Sequence, residues 1–325
     1  MTDPARYVIV GAGAVGGTIG ARLALAGSDV AFVARGEHGR AIAAGGLRFL
    51  TPSSDDRVRV PTVASVDELA FRSGDIVILA MKSQDTDGVL EALARVAPPA
   101  LPIVCAQNGV ENERRALRAF ANVHGMCVFM QAEHLEPGVV LAYGRQYSAI
   151  LDVGRYPRGR DATDERIARD CVAAGIACEA LADVMQVKYA KLLTNLANVI
   201  EAASGSSAWN SRLMQAARDE ALLCFAAAGI VAGNGGRTQV DLGIDPGAIG
   251  TRRRGGGSTW QSMARGANSL ETDALNGEIV LLGRVHGIAT PANDFLQALA
   301  RRLLRERTQP GSVPLAELER AFLDR

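Results

Sequence analysis

The sequence predicts an α/β chain, a doubly wound parallel sheet followed by an all-α domain. Three observations carry this. A glycine loop, Gly11-Ala12-Gly13-Ala14-Val15-Gly16, sits between an apolar run and a helical pattern. Apolar strand patterns alternate with helical ones as far as Ala106, and from Val184 onward every periodic segment has the helical spacing.

Tyr7-Val8-Ile9-Val10 is a continuous apolar run ending at glycine, the pattern of a strand buried on both faces of a parallel sheet. Ala14 to Ala26 then reads as a helix stopped by Gly27, and Asp29 to Ala34 as a second buried strand, which together make a βαβ unit. Asp75 to Ala80 and Pro102 to Ala106 are further buried strands, with Asp87 to Val96 helical between them. After a helix near Val110 to Ala121, the segments Val123–Met130, Gly138–Tyr143 and Ser148–Val153 read as strands joined by turns, an antiparallel extension at the sheet edge. Thr163 to Ala174 is helical and Ile176 to Ala180 a last short strand. Val184–Ala203, Arg212–Ala228, Ser269–His286 and Pro291–Arg305 are the helices behind a boundary near Ala182, so residues 1–181 and 182–325 are the expected domains. Arg252-Arg253-Arg254-Gly255-Gly256-Gly257 is a loop.

Lys+Arg equals Asp+Glu at 35 each, so bulk charge recruits no nucleic acid. The longest apolar stretch, Ala221 to Gly233, falls short of the roughly 18–20 residues that span a bilayer and reads as a buried helix, so no membrane partner is expected. Met1 to Arg6 holds no apolar signal core, which points to the cytoplasm. The five cysteines, Cys105, Cys127, Cys171, Cys178 and Cys224, contain no C-x-x-C pair and read as reduced, buried thiols. His38, His124, His134 and His286 lie far apart in sequence without ligand spacing, so no metal is expected.

Between a strand and a helix, the G-x-G-x-x-G spacing is the dinucleotide-binding fingerprint of a Rossmann domain. Gly11 permits the tight turn, Gly13 lets the backbone approach a pyrophosphate, and Gly16 lets helix and strand pack closely. Ala12, Ala14 and Val15 complete the loop, whose helix N-terminus faces the phosphates. At the end of the second strand, where an NAD-binding chain usually carries an acid, this chain has Arg35. A guanidinium there suits the 2′-phosphate of NADP(H).

In Lys188-Tyr189-Ala190-Lys191-Leu192-Leu193-Thr194-Asn195-Leu196-Ala197-Asn198, three polar residues fall at i, i+4 and i+7. On a continuous helix Lys191, Asn195 and Asn198 share one narrow face. Such a stripe is either the solvent face or the wall of a polar cleft.

Taken together, the glycine loop, Arg35, Met81-Lys82-Ser83-Gln84-Asp85-Thr86, Gln107-Asn108-Gly109, Glu136-Pro137-Gly138, Lys191-Leu-Leu-Thr-Asn195 and Glu271-Thr-Asp-Ala-Leu-Asn276-Gly277 resemble the ketopantoate reductase (2-dehydropantoate 2-reductase) family over nearly the whole chain. The resemblance implies a Rossmann domain, a helical domain of the 6-phosphogluconate dehydrogenase C-terminal type, an active site in the cleft between them, and NADPH-dependent reduction of a 2-keto acid to a 2-hydroxy acid. The process it implies is pantothenate biosynthesis. It makes Lys191 the general acid and Glu271 its partner, aims Asn108 and Asn195 at substrate, and sets Lys82 and Asn108 beside the cofactor. Two positions depart from the family pattern. The second helix amide stands at Asn198 rather than at Val199, and the family serine falls on Thr259, beside Ser258, both expected at the substrate. Trp260 and the arginine run are also unlike the family pattern, and two readings stand: a reshaped pocket or a mobile basic loop. The expected partner is a small-molecule 2-keto acid, with a homodimer as one assembly; a different keto or hydroxy acid, or a non-catalytic NADP(H) sensor, is the alternative function. Replacing Arg35 by Ala is expected to narrow the preference for NADPH over NADH by about tenfold, since charge-assisted hydrogen bonds contribute about 1.5–3 kcal/mol; initial rates with both nucleotides check this, and an unchanged ratio overturns the assignment.

Overall fold

The computed structural model describes residues 5–233 and 247–324; Met1 to Pro4, at the start of the N-terminal segment read above, lie outside it. Where the sequence reading places one boundary near Ala182, the two compact units are discontinuous: Met1–Met185 with Gly236–Arg254, and Gln186–Gly235 with Gly255–Arg325.

The first unit opens with β1 (Arg6–Val10), α1 (Ala14–Leu25), β2 (Asp29–Val33), α2 (Gly36–Gly45), β3 (Leu47–Leu50), β4 (Asp55–Val58) and β5 (Thr62–Val63). It continues through β6 (Ile76–Leu79), α3 (Thr86–Val96), β7 (Ile103–Cys105), the short α4 (Asn112–Ala116), β8 (Val123–Met130), β9 (Ala132–Glu133), β10 (Val139–Ala142), β11 (Ala149–Arg155) and α5 (Ala162–Ala173). The main sheet has the order β11-β8-β7-β6-β1-β2-β5, parallel throughout except for β11 against β8. The continuous apolar run of β1 has a simple cause. Tyr7 and Ile9 enter the core shared with α1, α5 and β2, while Val8 and Val10 enter the one under α3, so both faces are buried.

The antiparallel edge expected from the sequence is β11 alone. β10 leaves the main sheet for a second one, ordered β4-β3-β10-β9, in which it runs parallel to β3. Its apolar residues Val140 and Ala142, with Leu47 and Phe49 of β3, close over Ile19 and Leu23 of α1, so the helix is covered on both sides. The strands β3 to β5 add to the sequence reading; Leu47 and Phe49 are buried and Arg48 between them is exposed, an alternation that four residues barely reveal. The helix expected over Val110–Ala121 contracts to α4, and Ile176–Ala180 runs parallel beside β11, exchanging amide–carbonyl bonds with Ala149, Leu151 and Val153.

The second unit is helical among the described residues: α6 (Val184–Asn195, entering from the first unit), α7 (Asn198–Ser204), α8 (Arg212–Ala227), α9 (Ser258–Ala264), α10 (Asn276–His286), α11 (Pro291–Arg305) and α12 (Leu315–Leu323). Two expected helices are interrupted. Leu196 and Ala197 break the first, and Leu275, at φ −115° and ψ −88°, separates a 3-10 turn over Glu271–Ala274 from α10. The stretch Ala221–Gly233 is not the buried helix expected: Leu223 is 59% exposed because α8 buries the opposite face, with Ala217, Ala221, Cys224 and Phe225, and Val231, 62% exposed, lies beyond the end of α8 at Ala227. All five cysteines are buried thiols. No helix of the described residues is long and apolar enough to cross a membrane.

One charged pair pins the start of the sheet. Arg6, at the first position of β1, donates from Nε and Nη2 to the two carboxylate oxygens of Asp75 at 3.0 and 2.6 Å, and both side chains are buried. The Arg72 amide also donates to Asp75, and Arg6 reaches the carbonyl of Ala70. At the other side of the unit the Tyr7 phenol donates to Asp170 of α5 at 2.6 Å; burial, then that hydrogen bond, push its pKa upward, so it stays protonated. Removing one member of a buried pair leaves the other uncompensated. Asp75→Ala is expected to cost about 3–5 kcal/mol of stability, to be read from urea denaturation followed by circular dichroism.

Candidate active site

In a parallel sheet the C-terminal ends of neighbouring strands share one edge, and here three adjacent strands deliver three of the expected segments to it. β1 ends in the glycine loop, β6 in Met81-Lys82, and β7 in Gln107-Asn108. The loop is shaped by missing Cβ atoms. Gly11 has φ +95°, and a Cβ there would stand 2.7 Å from the Met81 amide nitrogen. A Cβ on Gly16 would stand 2.0 Å from the carbonyl oxygen of Gly11 and 2.9 Å from Cβ of Ala80. At Gly13 the nearest atom to such a Cβ is His134 Cδ2 at 3.9 Å, an ordinary contact distance, so a methyl group has room there. Gly13 is also the N-cap of α1 and supplies no side-chain cap, and no acid lies in the first turn. Gly13, Ala14 and Val15 thus leave the positive end of the helix without a side-chain cap or an acid to offset it.

Arg35 caps the start of α2 at the end of β2, with its side chain 71% exposed and Nη2 donating to Asp85 at 3.0 Å. Such an exposed pair contributes only about 0–1 kcal/mol and yields readily to a stronger anion. Lys82, half-buried, precedes the turn that holds Asp85. A polar mesh fixes this turn against the end of β7. Gln107 donates to Thr86 at 2.8 Å and to the Met81 carbonyl at 3.2 Å. Asn112 donates to Ser83 at 3.0 Å and to the carbonyl of Asn108 at 3.3 Å, and accepts from Thr86 at 3.0 Å. Ser83, Thr86, Gln107 and Asn112 are all buried. Of these, the sequence motifs contained three without assigning them a role, and Asn112 carried no signal.

Two of the histidines, far apart in the chain, converge in space. His38 on α2 donates from Nε2 to the Ala12 carbonyl at 2.7 Å, and its Nδ1 accepts from the Gly138 amide at 2.9 Å. An amide can only donate and a carbonyl only accept, so the partners set this tautomer. The His134 ring stands 3.9 Å away, centroid to centroid. His124 gathers with Asp161 and Asp164, whose oxygens and ring nitrogen lie within 4.8 Å of one another. Those groups are occupied in holding the fold. Asp161 and Asp164 form the capping box of α5, and His124 Nδ1 lies 2.7 Å from Asp164.

The arginine run belongs to the first unit. Arg252 lies 3.1 Å from Glu136 and 3.8 Å from Glu133, and Arg254 donates to Gln131, so these two arginines pack on the second sheet of the first unit. The Tyr143 phenol donates to the same Glu133 at 2.7 Å; burial, then this bond, raise its pKa. The glycines that follow belong to the second unit. A Cβ on Gly256 would meet Trp260 at 2.5 Å and one on Gly257 would meet Glu201 at 2.3 Å, so the indole and the carboxylate press on bare backbone.

In the second unit Lys191 and Asn195 lie one turn apart on α6, both half-buried. Asn198 is buried and opens α7, beyond the break, so the i+7 arithmetic of a continuous helix does not carry to it. Lys188, one turn before Lys191, is buried at 4% exposure and was not singled out by the sequence. Ser258 and the buried Thr259 begin α9, which Glu201 of α7 holds by accepting from the Gly257 amide at 3.1 Å. Glu271, 7% exposed, opens the 3-10 turn before α10.

Comparison with known proteins matches the chain to the family model "Ketopantoate reductase PanE/ApbA" over residues 7–156 and to its C-terminal counterpart over 177–304. The 2-dehydropantoate 2-reductase of Mesorhizobium japonicum is 29% identical, covering 93% of this chain and 98% of its own. That of Pyrococcus horikoshii is 27% identical, covering 91% and 96%. Among solved structures, a PanE/ApbA family ketopantoate reductase from Ralstonia eutropha superposes with a TM-score of 0.77 at 30% identity, over 94% of this chain and all of that one. A D-mandelate dehydrogenase in complex with NADH and anilino(oxo)acetate shares the fold at 20% identity and TM-score 0.78, over 94% and 99%.

The two glycines make opposite demands. Gly16→Ala is expected to destabilise the protein by about 1–3 kcal/mol through overpacking, whereas Gly13→Ala, with room for its methyl, is expected to keep the wild-type melting temperature; thermal unfolding of both variants without added ligand checks the contrast.

Proposed function

The chain belongs to the ketopantoate reductase PanE/ApbA family, and on that premise we propose that it is an NADPH-dependent reductase of a 2-keto acid, with 2-dehydropantoate (ketopantoate) as substrate and pantoate as product. The observation that carries the reading is the conjunction, in one member of an oxidoreductase family, of a close-packed glycine loop at the uncapped N-terminus of α1 with Lys191 and Asn195 on one face of α6.

The glycine loop and the N-terminus of α1 would hold the pyrophosphate, Arg35 the 2′-phosphate, and Lys82 and Asn108 the nicotinamide half. NADPH, when bound, supplies the hydride that reduces the C2 carbonyl. Lys191 gives a proton from its ammonium to the carbonyl oxygen as negative charge develops there, and the amine left behind takes a proton from solvent. Ketone, hydride and proton thus sum to the secondary alcohol. Asn108, Asn195 and Asn198 offer carboxamides to the substrate's carboxylate and hydroxyl groups, and Ser258 and Thr259 offer hydroxyls. Glu271, buried at the start of its 3-10 turn, offers its carboxyl group to fix the ammonium or the substrate hydroxyl. Such a chain works as a soluble cytoplasmic biosynthetic enzyme, and a dimer of it would leave these assignments unchanged.

Trp260 supports a second reading in which the acyl group differs. This bulky ring lies in the same short helix as Ser258 and Thr259, so an aryl-substituted 2-keto acid belongs in the substrate panel. Purified protein is expected to consume NADPH when ketopantoate is added. Lys191→Ala is expected to lower kcat on the best substrate by about 10²–10⁴-fold while NADPH binding, followed by fluorescence titration, is unchanged. NADPH binding with no turnover of any 2-keto acid would favour a sensor, and full activity of the variant would remove Lys191 from the mechanism.

A further inference from the structure

The two interruptions in the second unit meet at one side chain. α6 ends at Asn195, and α7 resumes its own backbone bonding with the Glu201 amide on the carbonyl of Ala197, which leaves the Leu196 carbonyl inside the break. Asn276, the first residue of α10, donates from Nδ2 to that carbonyl at 3.3 Å. The same amide nitrogen donates to Oδ1 of Asn293 at 3.0 Å. Both partners are acceptors, so the orientation of the Asn276 amide is settled, and an acid at this position would set oxygen against oxygen.

Behind Asn276 the network is complete. Asn293 donates from Nδ2 to the Ala217 carbonyl at 2.9 Å and to Glu220 at 2.8 Å. The Glu220 carboxylate also accepts the amides of Ala292 and Asn293 at 2.7 and 3.0 Å, which anchors it to the N-terminus of α11. Glu220, Asn276 and Asn293 are 8%, 1% and 0% exposed. A buried network whose members are all paired holds its geometry rigidly.

We propose that Asn276 is the positioning residue that locks the Lys191-bearing segment to the Glu271-bearing turn through the carbonyl of Leu196. Leu196 directly follows Asn195 and lies five residues beyond Lys191, and Asn276 lies five residues beyond Glu271. One amide therefore ties together the two stretches that carry the acid and its partner, and the carboxylate of Glu220, through Asn293, keeps that amide turned the right way. Its catalytic meaning rests on the reading of Lys191 and Glu271 given above.

The test compares Asn276→Asp, which removes both donors with little change of shape, and Asn276→Ala with wild type and Lys191→Ala. Active-site concentration is fixed by NADPH titration. The expected result is a roughly 10- to 100-fold fall in kcat per NADPH-binding site in both Asn276 variants, with the NADPH dissociation constant within about twofold of wild type. A merely structural role would lower the melting temperature and the titratable fraction but leave kcat per site intact, and that outcome overturns the proposal. Should neither variant fold, Asn293→Ser, which spares the bond to Leu196 while removing its support, must show the same split; failure of all three to fold assigns the network to stability alone and also overturns it. If Lys191→Ala turns over like wild type, the reaction assignment has failed instead; if Lys191→Ala is inactive while Asn276→Asp matches wild type, only the positioning role has.

Discussion

The first unit depends on how closely α1 can approach the sheet. The approach is set by Gly16, where even a methyl group would overlap the carbonyl of Gly11 and the side chain of Ala80. Because the helix comes this close, its first turn stands at the end of β1 rather than beyond it, and Gly11 is pressed against Met81 at the end of β6. From there the polar mesh of Gln107, Asn112, Ser83 and Thr86 carries the positional constraint to the end of β7. The loop, the lysine turn and the asparagine turn are therefore one connected rim rather than three independent loops.

The helical unit solves a different problem. A helix that breaks inside a protein exposes a carbonyl to an interior without water, and an unmade bond there costs about 1–3 kcal/mol. Asn276 meets this need from α10, and Glu220 and Asn293 satisfy it in turn. The break lets Asn195 and Asn198 project from separate helices while Leu196 and Ala197 stay buried between them.

The glycine loop, the parallel core and most helices of the second unit are legible in the sequence, since each is written in local spacing. Gly11 stands at positive φ and Gly16 in close helix–strand contact, the two structural roles their spacing implies. The departures all come from distant partners. β3 is too short to signal by itself, and the strand read over Gly138–Tyr143 pairs with it in a second sheet that covers α1 instead of extending the main one. The break after Asn195 is invisible to helical periodicity, because the group that stabilises it lies 80 residues further on. Histidines without ligand spacing look unrelated, yet His38 and His134 face each other because α2 and the turn before β10 meet beside Ala12. The run of three glycines has no local meaning either, until the indole of Trp260 and the carboxylate of Glu201 occupy the space that side chains would fill.

The return of residues 247–254 to the first unit bears on the order in which the chain can mature. Gly247 donates its amide to the carbonyl of Tyr143, and Arg252 reaches Glu133 and Glu136, after more than 100 residues of intervening chain. On the ribosome, where domains tend to form as they emerge, the nucleotide-fold half can assemble its main sheet early, yet its small second sheet waits for its arginines until α8 has been made. A gene split after α5 would separate Glu133 and Glu136 from their cations, so the two halves are one unit of inheritance even though each has its own core.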